Sequence, residues 1–420
     1  MTAILIQQVR VLDPVSGTDR VGDVLIEAGV LSAIADQIPP SPEAECIDGA
    51  GKIFAPALVD LYSHSGEPGY ESRETLASLR QSAIAGGFSR VCLLPTTQPA
   101  LDNPAVVGQI LAGNHQGQGA NFFVWGTATQ AAQGQAMAEL GDLDQAGVVG
   151  FGDGRPLADW LLVNRLLDYA QLFGKPVALW PRLTALAGSG VIRDGVTALQ
   201  LGMPGDPVSS ETAALAALLE CVADFKVPVH LMRISTARGV ALIERAKAQG
   251  LPISASTTWM HLCFNTADLQ SYDPNLNLAP PLGNPEDQQA LIAAVAGGIL
   301  DGIAVEHTPY TYEEKTVAFS DAPPGAIGLE LVLPLLWQKL VATQIWSPLT
   351  LWNALSAHPA RCLQQSPPQL AVGDSAEALL FDPHQTWQVR QPMLKSLATN
   401  TPWYGKMLTG KVLQTWTQPA

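Results

Sequence analysis

The sequence has few charged residues and no run of basic ones. Only 15% of the 420 residues are charged, and 23 Lys and Arg against 38 Asp and Glu give a formal net charge of −15. Nucleic acids and anionic membranes are bound through basic patches, so this balance argues against both as main partners. The most apolar windows, 289–300 and 327–346, are too short or are interrupted by Glu330, Pro334 and Lys339. No transmembrane helix is therefore expected.

Paired cysteines and phosphate-binding glycine motifs are missing as well. The five cysteines are an odd number, lie far apart and include no CxxC pair, and residues 1–13 lack the apolar run of a secretory signal. These features indicate reduced thiols in a cytoplasmic protein and argue against a disulfide framework or a zinc ribbon. No G-x-G-x-x-G follows a predicted strand and no G-x-x-x-x-G-K-[ST] occurs, so a nucleotide-phosphate site is not supported.

Both ends of the chain are rich in short strands. Residues 1–55 and 361–420 contain apolar runs divided by turn residues, and we expect them to form one small β-sandwich domain. The strands predicted there are 4–12, 23–26, 30–35, 376–382, 387–390 and 411–418.

Residues 56–360 follow a different pattern, in which short apolar runs alternate with Ala- and Leu-rich segments of helical period. The predicted strands are 56–64, 90–95, 121–127, 147–152, 176–180, 228–234, 253–258 and 302–307. The predicted helices are 74–85, 104–112, 157–173, 211–223, 237–248 and 287–296, the fourth and fifth with Ser210 and Thr236 as N-caps. Eight strands in such an alternation predict a (β/α)₈ barrel, with a doubly wound open sheet as the alternative.

Several motifs lie along this pattern in a characteristic order. They include Glu67-Pro68-Gly69, Leu101-Asp102-Asn103-Pro104, Ala322-Pro323-Pro324-Gly325 and Asn400-Thr401-Pro402-Trp403. Over nearly the whole chain this order resembles the amidohydrolase superfamily and, within it, the dihydroorotases of pyrimidine biosynthesis. The resemblance implies a barrel that hydrolyses a cyclic amide, in which a metal-bound hydroxide attacks the ring carbonyl and an Asp shuttles the proton.

The histidines of the metal centre implied by this resemblance are mostly replaced. The family's D-x-H-x-H motif reads Asp60-Leu61-Tyr62-Ser63-His64, so Tyr62 stands at the first histidine and His64 at the second. The histidine position after the fifth barrel strand holds Trp180, and the one after the sixth holds Arg233.

The acidic positions differ too. Glu306 replaces the proton-shuttling Asp, and Asp153 stands in a motif that has lost one of its two Asp residues, so its match to the family's carboxylate ligand is ambiguous. Zinc normally takes four ligands per ion, and His64 with Asp153 supplies two. We therefore expect no metal or other cofactor and no catalytic residue.

The positions that bind substrate in the family have also changed. Gly66 and Gly283 stand at two arginine positions, and Thr96 and Ala279 at two asparagine positions. A carboxylate is held best by a bidentate arginine, which glycine cannot replace. Dihydroorotate is not expected to bind in the usual way, although the intact 322–325 loop indicates that part of the pocket framework remains.

An arginine at a former ligand position suggests how charge is balanced without metal. Removing cations from a ring of carboxylates leaves like charges uncompensated. We expect Arg233 to form an ion pair with Glu306 or Asp153, with Trp180 and Tyr62 filling the remaining space. His230, His261 and His307 are expected to be structural, hydrogen-bonded histidines.

The sequence thus predicts a non-catalytic, dihydroorotase-like protein. Resemblance to inactive members of the family implies a scaffold role, typically for aspartate carbamoyltransferase, and barrels of this family are often dimers, which makes a homodimer possible. Three alternatives stay open. They are a cyclic amidohydrolase with a mononuclear zinc site at His64 and Asp153, a metal-free acid–base pair of Tyr62 and Glu306, and a small-molecule sensor that uses the old pocket.

Overall fold

A computed structural model describes residues 3–116 and 119–417 of the chain. The strands are β1 (Ala3–Asp13), β2 (Thr18–Glu27), β3 (Val30–Ala35), β4 (Ala44–Asp48), β5 (Ile53–Pro56), β6 (Leu58–Ser63), β7 (Phe88–Leu93), β8 (Asn121–Gly126), β9 (Gly150–Phe151), β10 (Val177–Leu179), β11 (Ile192–Arg193), β12 (Gly205–Asp206), β13 (Val229–Leu231), β14 (Ile253–Thr258), β15 (Gly302–Ala304), β16 (Ala378–Gln388) and β17 (Met407–Trp416).

The α-helices lie mostly between the strands of the central region. They are α1 (Leu76–Ala85), α2 (Pro104–Ala112), α3 (Leu140–Gln145), α4 (Trp160–Ala170), α5 (Thr184–Ala187), α6 (Val196–Leu201), α7 (Ser209–Ala223), α8 (Ala237–Ala248), α9 (Trp259–Cys263), α10 (Pro285–Ala296), α11 (Tyr312–Lys315), α12 (Val332–Leu336), α13 (Pro348–Trp352) and α14 (His358–Cys362). Short 3₁₀ and π segments extend several of them. In the part of the chain that the structure describes, no helix is long and apolar enough to cross a membrane.

The central sheet is a parallel barrel of eight strands in the order β6-β7-β8-β9-β10-β13-β14-β15. Its last strand returns beside the first, because Asp60 on β6 accepts a hydrogen bond from the backbone N–H of Val305 (2.8 Å) and the N–H of Glu306 donates to the carbonyl of Tyr62 (3.0 Å). The predicted (β/α)₈ barrel is confirmed, and the open sheet is wrong because these bonds close the circle.

The chain termini form a second sheet of seven strands. Its order is β17-β16-β5-β1-β2-β3, and β4 pairs in parallel with the first half of β1. Its own core includes Ile6, Val24, Phe54 and Leu380, and the Phe54 and Trp416 rings lie 5.6 Å apart. The sequence analysis missed β4 and β5, and the two strands predicted at 376–382 and 387–390 form the single strand β16. The final residue of the predicted strand 411–418 lies outside the described residues.

A buried ion pair joins the terminal sheet to the barrel. Glu377, just before β16, accepts hydrogen bonds from Arg90 Nε (2.7 Å) and Nη2 (2.6 Å), and from the hydroxyl of Ser89 (2.7 Å), both on β7. The Glu377 side chain is 3% exposed. Removing Arg90 would therefore leave a buried carboxylate without a counter-ion, which would destabilise the fold.

The two predicted N-caps have opposite outcomes. The hydroxyl of Thr236 accepts a hydrogen bond from the N–H of Gly239 at 2.9 Å, which confirms it as the cap of α8. Ser210 is not a cap, because α7 begins at Ser209 and the Ser210 hydroxyl donates to the carboxylate of Asp206.

Candidate functional site

A cavity of about 350 Å³ opens at the carboxyl ends of the barrel strands, where a barrel of this kind carries its functional residues. Seven predicted site positions line it: His64, Gly66, Thr96, Trp180, Arg233, Ala279 and Glu306. Tyr62, Asp153 and Gly283 do not line it. The sequence analysis therefore located the mouth of the barrel correctly but placed three buried or peripheral residues in it.

Arg233 is the central cation of this site. Its side chain is 3% exposed and forms an ion pair through Nε with the carboxylate of Glu306, while Nη1 donates to the carbonyl of Gly154 at 2.9 Å. The guanidinium carbon lies 4.4 Å from the ring centre of Trp180 and 5.8 Å from that of Tyr62. The ion pair predicted for Arg233 is confirmed with Glu306 as its partner. The sequence analysis expected Trp180 and Tyr62 to fill the space around this pair, and in the structure both rings lie beside the guanidinium.

Both members of the ion pair have an unusual backbone. Arg233 has φ +57° and Glu306 has φ +49°, in the left-handed region that L-residues rarely adopt. Such conformations cost free energy and persist only where surrounding contacts enforce them, typically at functional sites. Here they follow the sixth and eighth barrel strands and aim the two side chains at each other.

Burial controls protonation at the mouth. It raises the pKa of Glu306 to about 7, although the neighbouring Arg233 guanidinium opposes the rise. Burial also lowers the pKa of His64 to about 3, and the charges of Arg233 and, among others, Arg155 and Arg73 act in the same direction. His64 is therefore a neutral imidazole at pH 7, next to a region of positive charge.

Tyr62 belongs to a polar chain inside the barrel. Its hydroxyl accepts a hydrogen bond from the backbone N–H of Arg233 (3.1 Å) and lies 3.0 Å from Ser256 Oγ, which in turn lies 2.9 Å from His230 Nε2. Burial raises the pKa of Tyr62, and the Glu306 carboxylate raises it further. A buried, hydrogen-bonded phenol that does not line the cavity argues against the metal-free acid–base pair of Tyr62 and Glu306.

Asp153 is held by the turn that follows β8. One carboxylate oxygen accepts hydrogen bonds from the N–H groups of Ala128 (2.8 Å) and Thr129 (3.0 Å), and the other accepts from the Thr129 hydroxyl. His64 Nδ1 is bonded to the Thr96 hydroxyl at 2.9 Å. Within residues 3–116 and 119–417, no group of three or more His, Cys, Asp or Glu is arranged to hold a metal ion. The residues present therefore do not fit the metal centre that the resemblance implies.

The other histidines near the barrel have structural partners, as predicted. His230 lies between Ser254 and Ser256, and His261 Nδ1 is 2.7 Å from the Thr258 hydroxyl. His307 Nδ1 accepts a hydrogen bond from the N–H of Gly328 at 3.1 Å, which ties the end of the eighth strand to the following loop.

Comparison with known proteins identifies relatives along the whole chain. A probable dihydroorotase-like protein of Synechocystis sp. is 45% identical over 97% of this chain and 98% of its own length. Dihydroorotases of Trichlorobacter lovleyi and Geotalea daltonii are each 34% identical, over 97% and 98% of this chain and 96% and 97% of their own lengths. The chain belongs to the dihydroorotase family. No family model matches the chain.

Solved structures agree with the fold of this dihydroorotase-family protein. The L-hydantoinase of Arthrobacter aurescens superimposes with a TM-score of 0.85 at 19% identity, covering 100% of this chain and 98% of the hydantoinase. The dihydropyrimidinase of Brevibacillus agri gives a TM-score of 0.82, also at 19% identity, covering 100% of this chain and 94% of the dihydropyrimidinase. At this identity the likeness supports the barrel architecture alone.

The two glycines at the family's arginine positions have no space for a side chain. A Cβ built on Gly66 would lie 2.2 Å from the carbonyl oxygen of Glu74 and 2.6 Å from that of Tyr70. One built on Gly283 would lie 2.6 Å from Asp287 Cβ. In this dihydroorotase-family chain the loop after the first barrel strand therefore leaves no space for a side chain at Gly66, where the resemblance implies an arginine.

Sequence reasoning missed two groups of residues at this site. Ser254 and Ser256 complete the polar chain beneath Tyr62, and Arg73 and Arg155 line the cavity. The serines alternate on β14 in a run of small polar residues, a period-two pattern that could have placed both on its inner face. Arg155 follows Gly154 directly after the Asp153 motif, so its place at a strand end was readable from the sequence.

Proposed function

We propose that this chain is a non-catalytic member of the dihydroorotase family that acts as a scaffold or stabilising subunit in pyrimidine biosynthesis. The observation that carries the proposal is the buried Arg233, which holds a guanidinium at a metal-ligand position of the family and pairs with Glu306. A fixed cation at this place repels a divalent metal and occupies the nearest carboxylate. Hydrolysis of a cyclic amide by the family's chemistry needs that metal to supply hydroxide and polarise the carbonyl.

The proposed partner is aspartate carbamoyltransferase, as the family resemblance suggests. The barrel and the terminal sheet are joined by the buried Arg90–Glu377 ion pair, so a partner would meet the two parts as one unit. A scaffold needs its outer surface and no reactive group in the cavity, which agrees with the changed positions at the mouth.

Metal content and turnover, measured on one preparation, test the absence of catalysis. We expect far less than one zinc per chain and no dihydroorotate hydrolysis or reverse condensation above the uncatalysed rate, with or without added zinc. An active dihydroorotase purified in the same way provides the positive control. Near one zinc per chain, together with turnover abolished by His64→Ala, would establish the hydrolase instead.

Complex formation with aspartate carbamoyltransferase tests the scaffold role separately. We expect the two purified proteins to co-elute in size-exclusion chromatography at micromolar concentration, and the transferase to unfold at a higher temperature in the mixture, because a partner that binds only the folded state stabilises it. The matched control is an active dihydroorotase from a source in which the two enzymes do not associate. Separate elution with an unchanged unfolding temperature would contradict this partner.

A further inference from the structure

The outer face of the helix α4 carries three exposed large apolar side chains. Leu161 is 59% exposed, Tyr169 38% and Leu172 74%. The opposite face of the same helix is packed into the barrel core through Leu162 and Leu166, among others. Single apolar residues on a surface need no explanation, but a group of them along one helix marks a candidate interaction surface.

Two opposite charges lie on the same face. At about 3.6 residues per turn, one stripe of about 60° along the helix contains Leu161, Arg165, Asp168 and Leu172. Leu172 lies just past the end of α4, and its N–H donates to the carbonyl of Tyr169 at 3.2 Å, so the chain keeps its helical direction there. Arg165 and Asp168 are exposed, and within the described residues neither forms an ion pair.

The order of residues along this stripe is self-complementary. In a contact with two-fold symmetry, a residue meets the residue that lies equally far from the axis on the other side. Leu161 and Leu172 are equally far from the point between residues 166 and 167. Arg165 and Asp168 are equally far from the same point. Two antiparallel α4 helices that cross there would place leucine against leucine at both ends and arginine against aspartate twice near the centre.

The same register pairs Asn164 with Tyr169. Both are exposed, and the amide can form a hydrogen bond with the phenolic hydroxyl. The ring of Tyr169 is held edge-on against Phe173, with ring centres 5.4 Å apart, so little side-chain freedom is lost when a partner binds. Asp168 accepts a hydrogen bond from the Gln171 amide through Oδ1 (3.2 Å), and an arginine can bind at Oδ2.

The charge pattern favours a second copy of the chain as the occupant of this face. With a net charge of −15, two copies repel each other over most of their surfaces. On the α4 stripe the single arginine and the single aspartate balance, and the antiparallel register makes both cross-contacts attractive. A strongly acidic or strongly basic partner would instead meet a like charge at one of the two positions.

We propose that the outer face of α4 docks a second copy of this chain, helix against helix and antiparallel about a two-fold axis. One helix pair buries less than the roughly 800 Å² per partner of a standard interface, so we expect a weak dimer with a dissociation constant of about 10–100 µM. The inference is independent of the proposed function, because it uses neither the cavity nor the transferase.

Sedimentation equilibrium of the purified chain at about 1–200 µM tests this dimer. Leu172→Glu places a carboxylate against the second copy's Leu161 at both ends of the contact, so it should weaken dimerisation at least about tenfold. Leu199→Glu makes the same change at an 81% exposed position on α6 and should leave dimerisation unchanged. Unfolding temperatures close to that of the unmodified chain would show that both variants are folded.

A charge exchange tests the register. Arg165→Asp places a carboxylate opposite the second copy's Asp168 and should weaken the dimer by about tenfold, because both cross-contacts become repulsive. Adding Asp168→Arg to this variant makes both contacts attractive again and should restore most of the affinity. Restoration would identify the two residues as partners across the two-fold axis.

Four results would overturn the inference. They are a chain that stays monomeric at about 200 µM, equal effects of Leu172→Glu and Leu199→Glu, loss of the dimer in Leu199→Glu alone, and a charge exchange that restores nothing. If the chain is monomeric and Leu172→Glu abolishes co-elution with aspartate carbamoyltransferase, the α4 face belongs to that partner. A monomeric chain that still binds the transferase would leave the proposed function intact.

Discussion

Replacing Arg233 by methionine is expected to lower the free energy of unfolding by about 3–5 kcal/mol at about pH 8, because it leaves the buried Glu306 carboxylate without its counter-ion. Methionine keeps an unbranched side chain against Trp180, so most of the packing remains. The backbone strain at φ +57° stays the same, since any L-residue there experiences it. The loss therefore reports mainly on the charge pair, and chemical denaturation measures it.

The size of this loss should depend on pH. Burial holds the pKa of Glu306 at about 7 in the native protein, above the ordinary value of 4.5, and removal of Arg233 raises it further. A carboxyl group whose pKa is higher in the folded state than in the unfolded state stabilises the fold most at low pH, and this stability is lost as pH rises through the folded pKa. The penalty of Arg233→Met should therefore be smaller at about pH 5, where Glu306 is protonated in the folded protein, by up to about 1.4 kcal/mol, because about one pH unit separates the native pKa from pH 8.

Two further variants make this prediction specific. Combining Arg233→Met with Glu306→Gln removes both charges and should recover most of the stability at about pH 8, because no uncompensated charge remains. Arg238→Met makes the same substitution at an exposed position on α8 and should have little effect. A loss that is independent of pH and persists in the double variant would show that Arg233 acts through packing alone.

Replacing Gly66 by alanine is expected to destabilise the protein by about 3 kcal/mol, because the added methyl group meets backbone atoms that cannot move independently. The nearest is the carbonyl oxygen of Glu74 at 2.2 Å, well inside van der Waals contact. The loop is also pinned by the N–H of Tyr70, which donates to the Gly66 carbonyl at 2.6 Å. Thermal and denaturant unfolding of Gly66→Ala measure the cost.

Gly108→Ala is the matched control for this substitution. A Cβ at Gly108 meets nothing within 4 Å, and the residue lies within α2, so alanine there should stabilise the protein by up to about 1 kcal/mol. If both variants behave alike, the 66–74 loop is adaptable. If Gly66→Ala is strongly destabilised, restoring the family's arginine at this position requires rebuilding the loop as well as the side chain.

The fold could be predicted where burial of apolar side chains determines both the sequence pattern and the structure. Eight buried runs gave the barrel, and α2 and α8 have the predicted bounds because a cap residue and a regular apolar period coincide there. The strand β4 could not be predicted, since its residues are mostly exposed and it is held by backbone pairing with β1. Ser210 failed as a cap because a tertiary contact with Asp206 uses its hydroxyl.

In the site, too, some features could be predicted from the sequence and others depend on the shape of loops. An ion pair of Arg233 was predictable because opposite charges at the ends of barrel strands face a common mouth, but the sequence left the partner open between Glu306 and Asp153. The hydrogen bonds of Asp153 could not be predicted. Its partners include the backbone N–H groups of Ala128 and Thr129, whose direction depends on the shape of a loop. The crowding around Gly66 depends on loop shape in the same way.

The strand order of the terminal sheet affects how the chain folds as it is synthesised. β5 lies between β1 and β16, yet β16 begins more than 300 residues after β5 ends. At ~5–20 residues per second, β5 keeps one side unpaired for roughly a quarter to one minute after it leaves the ribosome. An unpaired apolar strand readily pairs with another chain, so the emerging N-terminal region needs protection by a chaperone, or by the growing barrel, until the last fifty residues arrive.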